Sequence, residues 1–189
     1  MNSQDLVKRA KRGTLPQKEI KEIAIILEQS PPGMNLYPLL LAIGYSNAVD
    51  YRKTVEAFLY CEREPMLAAL ALQILCDFWG NTQLYIEDVK RYVQGIHWDD
   101  DQDVRLRAIS IAGEYLHQEN DRELLEYLYT VVGDRKEEQL IRENAYCALA
   151  RAAGRDWNEL PSATRSFDLE KDIDLKILEE IQQRLAQKK

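Results

Sequence analysis

Apolar residues along this chain recur every three or four positions, and no segment alternates apolar with polar residues as a half-buried strand does. The spacing predicts a helix over residues 3–12, with Leu6, Val7 and Ala10 inward and Gly13 at its end. Thr14 reads as the N-cap of a second helix, with Pro16 in the first turn, Gln17 closing a capping box, and Ile20, Ile23, Ala24 and Leu27 as the buried stripe. Ser30-Pro-Pro-Gly33 stops it. Residues 36–43 read as a short buried helix, with Pro38 near its start and Gly44 closing it. Residues 48–61 follow as its partner, with Val49, Val55, Phe58 and Leu59 inward. Residues 82–94 place Ile86, Val89 and Val93 on one stripe. Asn120-Asp-Arg-Glu123 reads as a capping box that opens a helix buried along Leu124, Leu125, Leu128 and Val132. Gly95 and Gly133 are expected to end these two helices as left-handed caps. A last helix begins near Asp172 and buries Ile173, Ile177, Ile181 and Leu185, after an irregular connection through Trp157, Leu160 and Pro161.

The longer apolar helices are copies of one another. Residues 67–79, 104–116 and 141–153 align at equal steps of 37 residues on Ala71, Ala108 and Ala145. Leu67, Val104 and Ile141 share a second position, Leu72, Ile109 and Tyr146 a third, and Leu75, Ala112 and Leu149 a fourth. These offsets lie on one helical face, and a period of this size is the signature of a repeat array. Asp103-Val104-Arg105-Leu106-Arg107-Ala108 opens the clearest copy. The next keeps Ile141-Arg142 and Ala145 but has Leu140 at the acidic position, and the earlier one has Met66 there and Ala68 at the arginine. Helix pairs with this opening resemble HEAT-like repeats of the armadillo type. The resemblance covers residues 34–153. It implies an all-α fold, an α-α superhelix: a right-handed solenoid whose second helices line a concave face used to bind proteins. On that reading residues 1–189 form one domain, with 1–33 as an N-terminal cap and 154–189 as a capping segment and helix.

Composition narrows the partners. With 46% hydrophobic and 30% charged residues the chain is expected to be globular, and its net charge of −7 argues against nucleic acid and anionic membranes. A basic protein is the expected partner. Met1-Asn-Ser-Gln-Asp-Leu-Val-Lys-Arg-Ala-Lys-Arg-Gly13 lacks the apolar run of a secretory signal, and no stretch is long enough to span a bilayer. The three cysteines, Cys61, Cys76 and Cys147, contain no C-x-x-C and sit among apolar helical residues, the pattern of reduced buried thiols in a cytoplasmic protein.

Candidate chemistry is sparse. His97 and His117 are the only histidines, and neither has a second histidine or a cysteine at ligand spacing. No nucleophile elbow, P-loop or dinucleotide fingerprint is present, so neither catalysis nor a cofactor is expected. Asp99, Asp101 and Asp103 have the opening spacing of a calcium loop, but Val104 stands where its glycine should be and Ser110 where its glutamate should be. The run reads better as caps for the helix that follows, with Trp98 beside it either an anchor for a basic partner or, as is commoner at a repeat junction, packed.

The tyrosines give a stronger hint. Of ten, Tyr51, Tyr60, Tyr85, Tyr92, Tyr127 and Tyr129 fall on the three expected second helices. The buried stripes leave Tyr85, Glu87, Asp88, Arg91 and Tyr92 off the core centre on one helix. On the next they leave Arg122, Glu123, Glu126, Tyr127 and Tyr129. Tyrosine and arginine are frequent interface anchors, and interleaved carboxylates favour a basic ligand. The expected function is a non-catalytic protein-binding module, one form of which is a bacterial immunity protein that covers a toxin domain. The alternative is a HEAT-like-fold enzyme such as an alkylpurine DNA glycosylase, using Trp79, Trp98, Trp157 and the aspartates, or a chromophore-lyase-like scaffold. Against the DNA enzyme, Glu87, Asp88, Glu123 and Glu126 outnumber Lys90, Arg91 and Arg122.

Overall fold

The computed structural model describes residues 3–160 and 167–187. Every regular element among them is helical, in agreement with the all-α expectation, and no helix is long and apolar enough to cross a membrane. The elements are α1 (Ser3–Lys11), α2 (Gln17–Gln29), α3 (Tyr37–Tyr45), α4 (Arg52–Glu56), α5 (Pro65–Gln73), α6 (Ile86–Val93), α7 (Asp103–Gln118), α8 (Arg122–Gly133), α9 (Gln139–Ala152) and α10 (Leu175–Ala186). The chain divides into two compact units, residues 1–107 and 108–189, and the division falls inside the continuous helix α7.

In the first unit α3 is the apolar centre. Its Leu39, Leu40, Ala42 and Ile43 are buried, and α1, α2 and α5 pack around it. Gly44 does not close α3, as the sequence suggested, but lies inside it. A methyl group there would stand 2.6 Å from Ile74 Cγ1, so the missing side chain is what lets α3 and the end of α5 touch. The indole of Trp79 donates to the Gly44 carbonyl at 3.3 Å across the same contact. Beyond Gln73 the helix widens into a π turn over Ile74–Phe78, and Gly80, at φ +65°, ends it.

Several local expectations change. Thr14 is not an N-cap: α2 starts after Pro16 with no side-chain cap, and the Thr14 hydroxyl donates to the Arg9 carbonyl instead. The Arg9 carbonyl, in the last turn of α1, thus takes both the N–H of Thr14, at 3.0 Å, and its hydroxyl, at 3.1 Å, from three residues beyond the helix. The helix expected over 48–61 is broken into a 3₁₀ turn (Val49–Tyr51), the short α4 and further tight turns. A 3₁₀ segment turns through three residues rather than 3.6, which rotates its start off the buried face. Val49 is therefore 48% exposed, while Val55, Phe58 and Leu59 are buried as expected.

The second unit follows its pattern more closely. The α8 stripe, Leu124, Leu125, Leu128 and Val132, is buried, and so are Ile177 and Ile181 of α10; Ile173 and Leu185 are half-buried. Asp121, not Asn120, caps α8, accepting the Leu124 N–H at 3.0 Å. Gly95 and Gly154 adopt left-handed φ values of +85° and +88°, but Gly133 is the last helical residue of α8 and does not. A methyl group on Gly113 of α7 would lie 2.7 Å from the Ala148 Cα of α9, so these two helices also meet at a glycine. One position later Glu114 and Arg151, 37 residues apart, form a two-pronged ion pair at 2.7 and 3.0 Å. Pro161 lies outside the described residues.

The recurring arginine has a recurring task. In the first unit the Arg105 Nε donates to the Val93 carbonyl at the end of α6, at 3.0 Å. In the second, Arg142, 37 residues on, donates through Nε to the Val132 carbonyl near the end of α8, at 3.1 Å. Each guanidinium thus satisfies an orphan carbonyl at the negative end of a helix dipole. Ala71, Ala108 and Ala145, the residues that set the alignment, are fully buried.

Candidate functional site

The first half of the expected binding set lies on α6 and the turn before it, and the structure sorts it into braces and surface. Ile86, Val89 and Val93 face the core. Tyr85 and Tyr92 join them, so the expectation that both rings lie off the core is corrected. Tyr92 is completely buried; its hydroxyl donates to the Leu59 carbonyl at 2.6 Å and accepts from Arg91 Nη2 at 3.0 Å. Tyr85 donates to Glu56 Oε1 at 2.6 Å. In both cases the ring fills apolar space while the phenol satisfies an acceptor in the irregular 56–60 segment. A third phenol, Tyr60, runs the other way, donating to Asp88 Oδ1 of α6 at 2.7 Å.

Arg91 binds this arrangement together. Its guanidinium carbon lies 4.8 Å from the Tyr60 ring centroid and 4.9 Å from that of Tyr92, within cation–π range of both. It also lies 3.7 Å from the Asp88 oxygen that takes the Tyr60 hydroxyl. Glu87 stands near Lys90, at 3.8 Å, and projects into solvent. Behind the cluster Trp98 meets the Tyr92 ring edge-on, with centroids 6.3 Å apart. What faces outward is the Tyr60 ring, 54% exposed, one side of the Arg91 guanidinium, and Glu87. Tyr60 was not among the expected contact residues of this face; the sequence signal for it was only its place at the end of the expected helix over 48–61.

Burial and the bond to Asp88 raise the Tyr60 phenol above its ordinary value, and burial pushes Tyr92 up to about 12. Both are hydrogen-bond donors at neutral pH. Burial also pushes the Cys76 thiol up to about 12 and Cys147 up to about 11, which leaves neither as a ready nucleophile.

The second half of the set lies on α8. Arg122, Glu123 and Glu126 are exposed and Tyr127 and Tyr129 half-buried, on the sides of α8 away from its buried stripe. Arg122 reaches the Gln187 carbonyl at 3.5 Å, and the Glu126 carbonyl accepts the Thr130 hydroxyl at 2.9 Å.

The acidic run before α7 acts on the backbone. Asp99 is only 4% exposed, and its Oδ2 accepts the Arg105 N–H, in the first turn of α7, at 3.0 Å. Burial, together with the neighbouring Asp99 and Asp101, raises the Asp103 carboxyl above its ordinary value. Among the described residues no group of three or more His, Cys, Asp or Glu side chains has the arrangement of a metal site. His97 and His117 are exposed. Comparison of the chain with protein-family models, with curated proteins and with solved structures returned no match.

Proposed function

We propose that this chain is a non-catalytic protein-binding module, built of HEAT-like helical hairpins, that holds a basic partner protein. The observation that carries the reading is the Tyr60–Arg91 pair. An exposed ring and a guanidinium are held against each other by Asp88 and the buried Tyr92 before any partner arrives. Pre-ordered aromatic and arginine side chains lose little freedom on binding, which is why such pairs dominate interface energetics. Glu87 beside the pair, and the net charge of −7, favour a cationic partner and speed its encounter. The repeated seat of Arg105 and Arg142 on a preceding helix end supports the hairpin-array part of the reading. In this proposal Tyr85 and Tyr92 act as supports beneath the contact surface of the first unit, and Arg122, Glu123, Glu126, Tyr127 and Tyr129 of α8 are a separate set of candidate contacts in the second.

Site-specific photocrosslinking tests it. A photoreactive residue at position 87, in cells of the native host, should give one adduct with a basic protein, and Tyr60→Ala or Arg91→Ala should abolish it. No adduct, an acidic adduct, or one that survives both substitutions would overturn the proposal.

A further inference from the structure

The first unit carries a second surface of opposite charge. An open groove of about 410 Å³ runs between α1 and the start of α3, lined by Val7, Tyr37 and Pro38, with Ser3, Gln4 and Asn35 at its edges and Lys8 beside it. Its volume is that of a site for a few side chains rather than a crevice for water. Its floor is firm: Leu6 and Ala10 of α1 are buried, and the Asn35 side chain is already engaged by the Tyr37 N–H at 3.1 Å.

The helix that forms one wall is basic in a chain that is acidic overall. Lys8, Arg9 and Lys11, with Arg12 just past the end of the helix, stand against one acid on it, Asp5. Two of the four are engaged: Arg9 pairs with Glu19 at 2.6 Å, and Lys11 lies 5.6 Å from the Tyr45 ring centroid. Lys8 and Arg12 make no ion pair among the described residues. Screening confines electrostatic reach to about 8–10 Å at ordinary salt, so a ligand in the groove meets this local positive field more than the distant carboxylates.

We propose that the groove is a docking site for an acidic peptide segment of a partner protein. An aliphatic or aromatic side chain of the segment enters between Val7, Tyr37 and Pro38, and its flanking carboxylates lie over Lys8 and Arg12. An apolar anchor rimmed by opposite charge is the usual grammar of short-segment recognition. The site does not depend on the Tyr60 face, which takes partners of the other sign.

Fluorescence anisotropy on the full chain tests it, using a labelled helical peptide of about twelve residues with leucine at every third or fourth position and glutamate elsewhere. Its lysine counterpart keeps the same leucines. The glutamate peptide should bind saturably and at least about tenfold more tightly than the lysine one, and several-fold more weakly in 0.5 M salt. Lys8→Glu, an exposed change that spares the core, should cancel or reverse that preference. Val7→Asp should abolish binding of both peptides while the melting curve stays cooperative. Equal binding of the two peptides, binding of neither, or a preference for the glutamate peptide that survives Lys8→Glu would overturn the proposal. So would displacement of the peptide by a lower concentration of dodecanoate, which would assign the groove to a small amphiphile.

Discussion

Tyr92 has a fully buried ring and a hydroxyl that meets a carbonyl thirty-three positions earlier in the chain. Tyr92→Phe would keep the ring and strand the Leu59 carbonyl, so it should cost about 1–3 kcal/mol in urea unfolding. Tyr60→Phe, at an exposed site, should cost no more than about 0.5 kcal/mol. Equal losses would mean that the phenol bonds are not distributed as described. The helical period marks Tyr92 as flanking the stripe, but a tyrosine suits surface and core alike, and its deciding partner lies on another segment. Arg91 was read from the sequence only as a contact residue; its seat over two rings was not legible, because Tyr60 lies on another segment. At Cys147, a pKa pushed up to about 11 makes alkylation at pH 8 about a hundredfold slower than for the same thiol in urea. The rate in the folded protein should rise about tenfold per pH unit towards pH 11. Peptide mapping after timed alkylation reads both.

At the level of helices, two glycines hold the close approaches. Gly44→Ala forces a methyl group against Ile74 and should cost about 1–3 kcal/mol. Gly113→Ala meets backbone at Ala148, which can yield less, and should cost at least as much. Gly133→Ala faces open space at the end of α8 and should be neutral or stabilising by up to about 1 kcal/mol. Thermal melts of the three variants would rank them. The long helices α7, α8 and α9 were readable because each keeps an uninterrupted apolar stripe over three or more turns. Residues 48–61 were not, because tight turns and an α-helix share the same apolar residues and differ only in how far each step rotates. The start of α8 was legible to within one residue. At Asn120-Asp121 either side chain could serve, and backbone geometry alone selected Asp121.

For the molecule as a whole, the division into two units inside α7 makes that helix common property. A fragment of residues 1–107 keeps only five residues of α7, under two turns, and the Arg105 anchor on Val93 would sit on a frayed end. A fragment of residues 1–118, with α7 whole, should therefore unfold at higher urea than the shorter one. Coincident transitions would show that α7 adds nothing to the first unit. The sequence period made the helical class readable over the whole length. The docking groove was not readable, because it joins α1 to residues near Pro38 that no period connects. The guanidinium seats carry one more implication. Arg105 and Arg142 each close the helix before them, and after α9 no further copy follows among the described residues; there Arg184 of α10 bonds the Ala152 and Leu116 carbonyls, at 2.8 and 3.3 Å. A helix that borrows the chemistry of the Arg105 and Arg142 joints marks a ready splice point. An engineered hairpin grafted behind α9 would need to bring an arginine in its first turn and carry α10 outward with it.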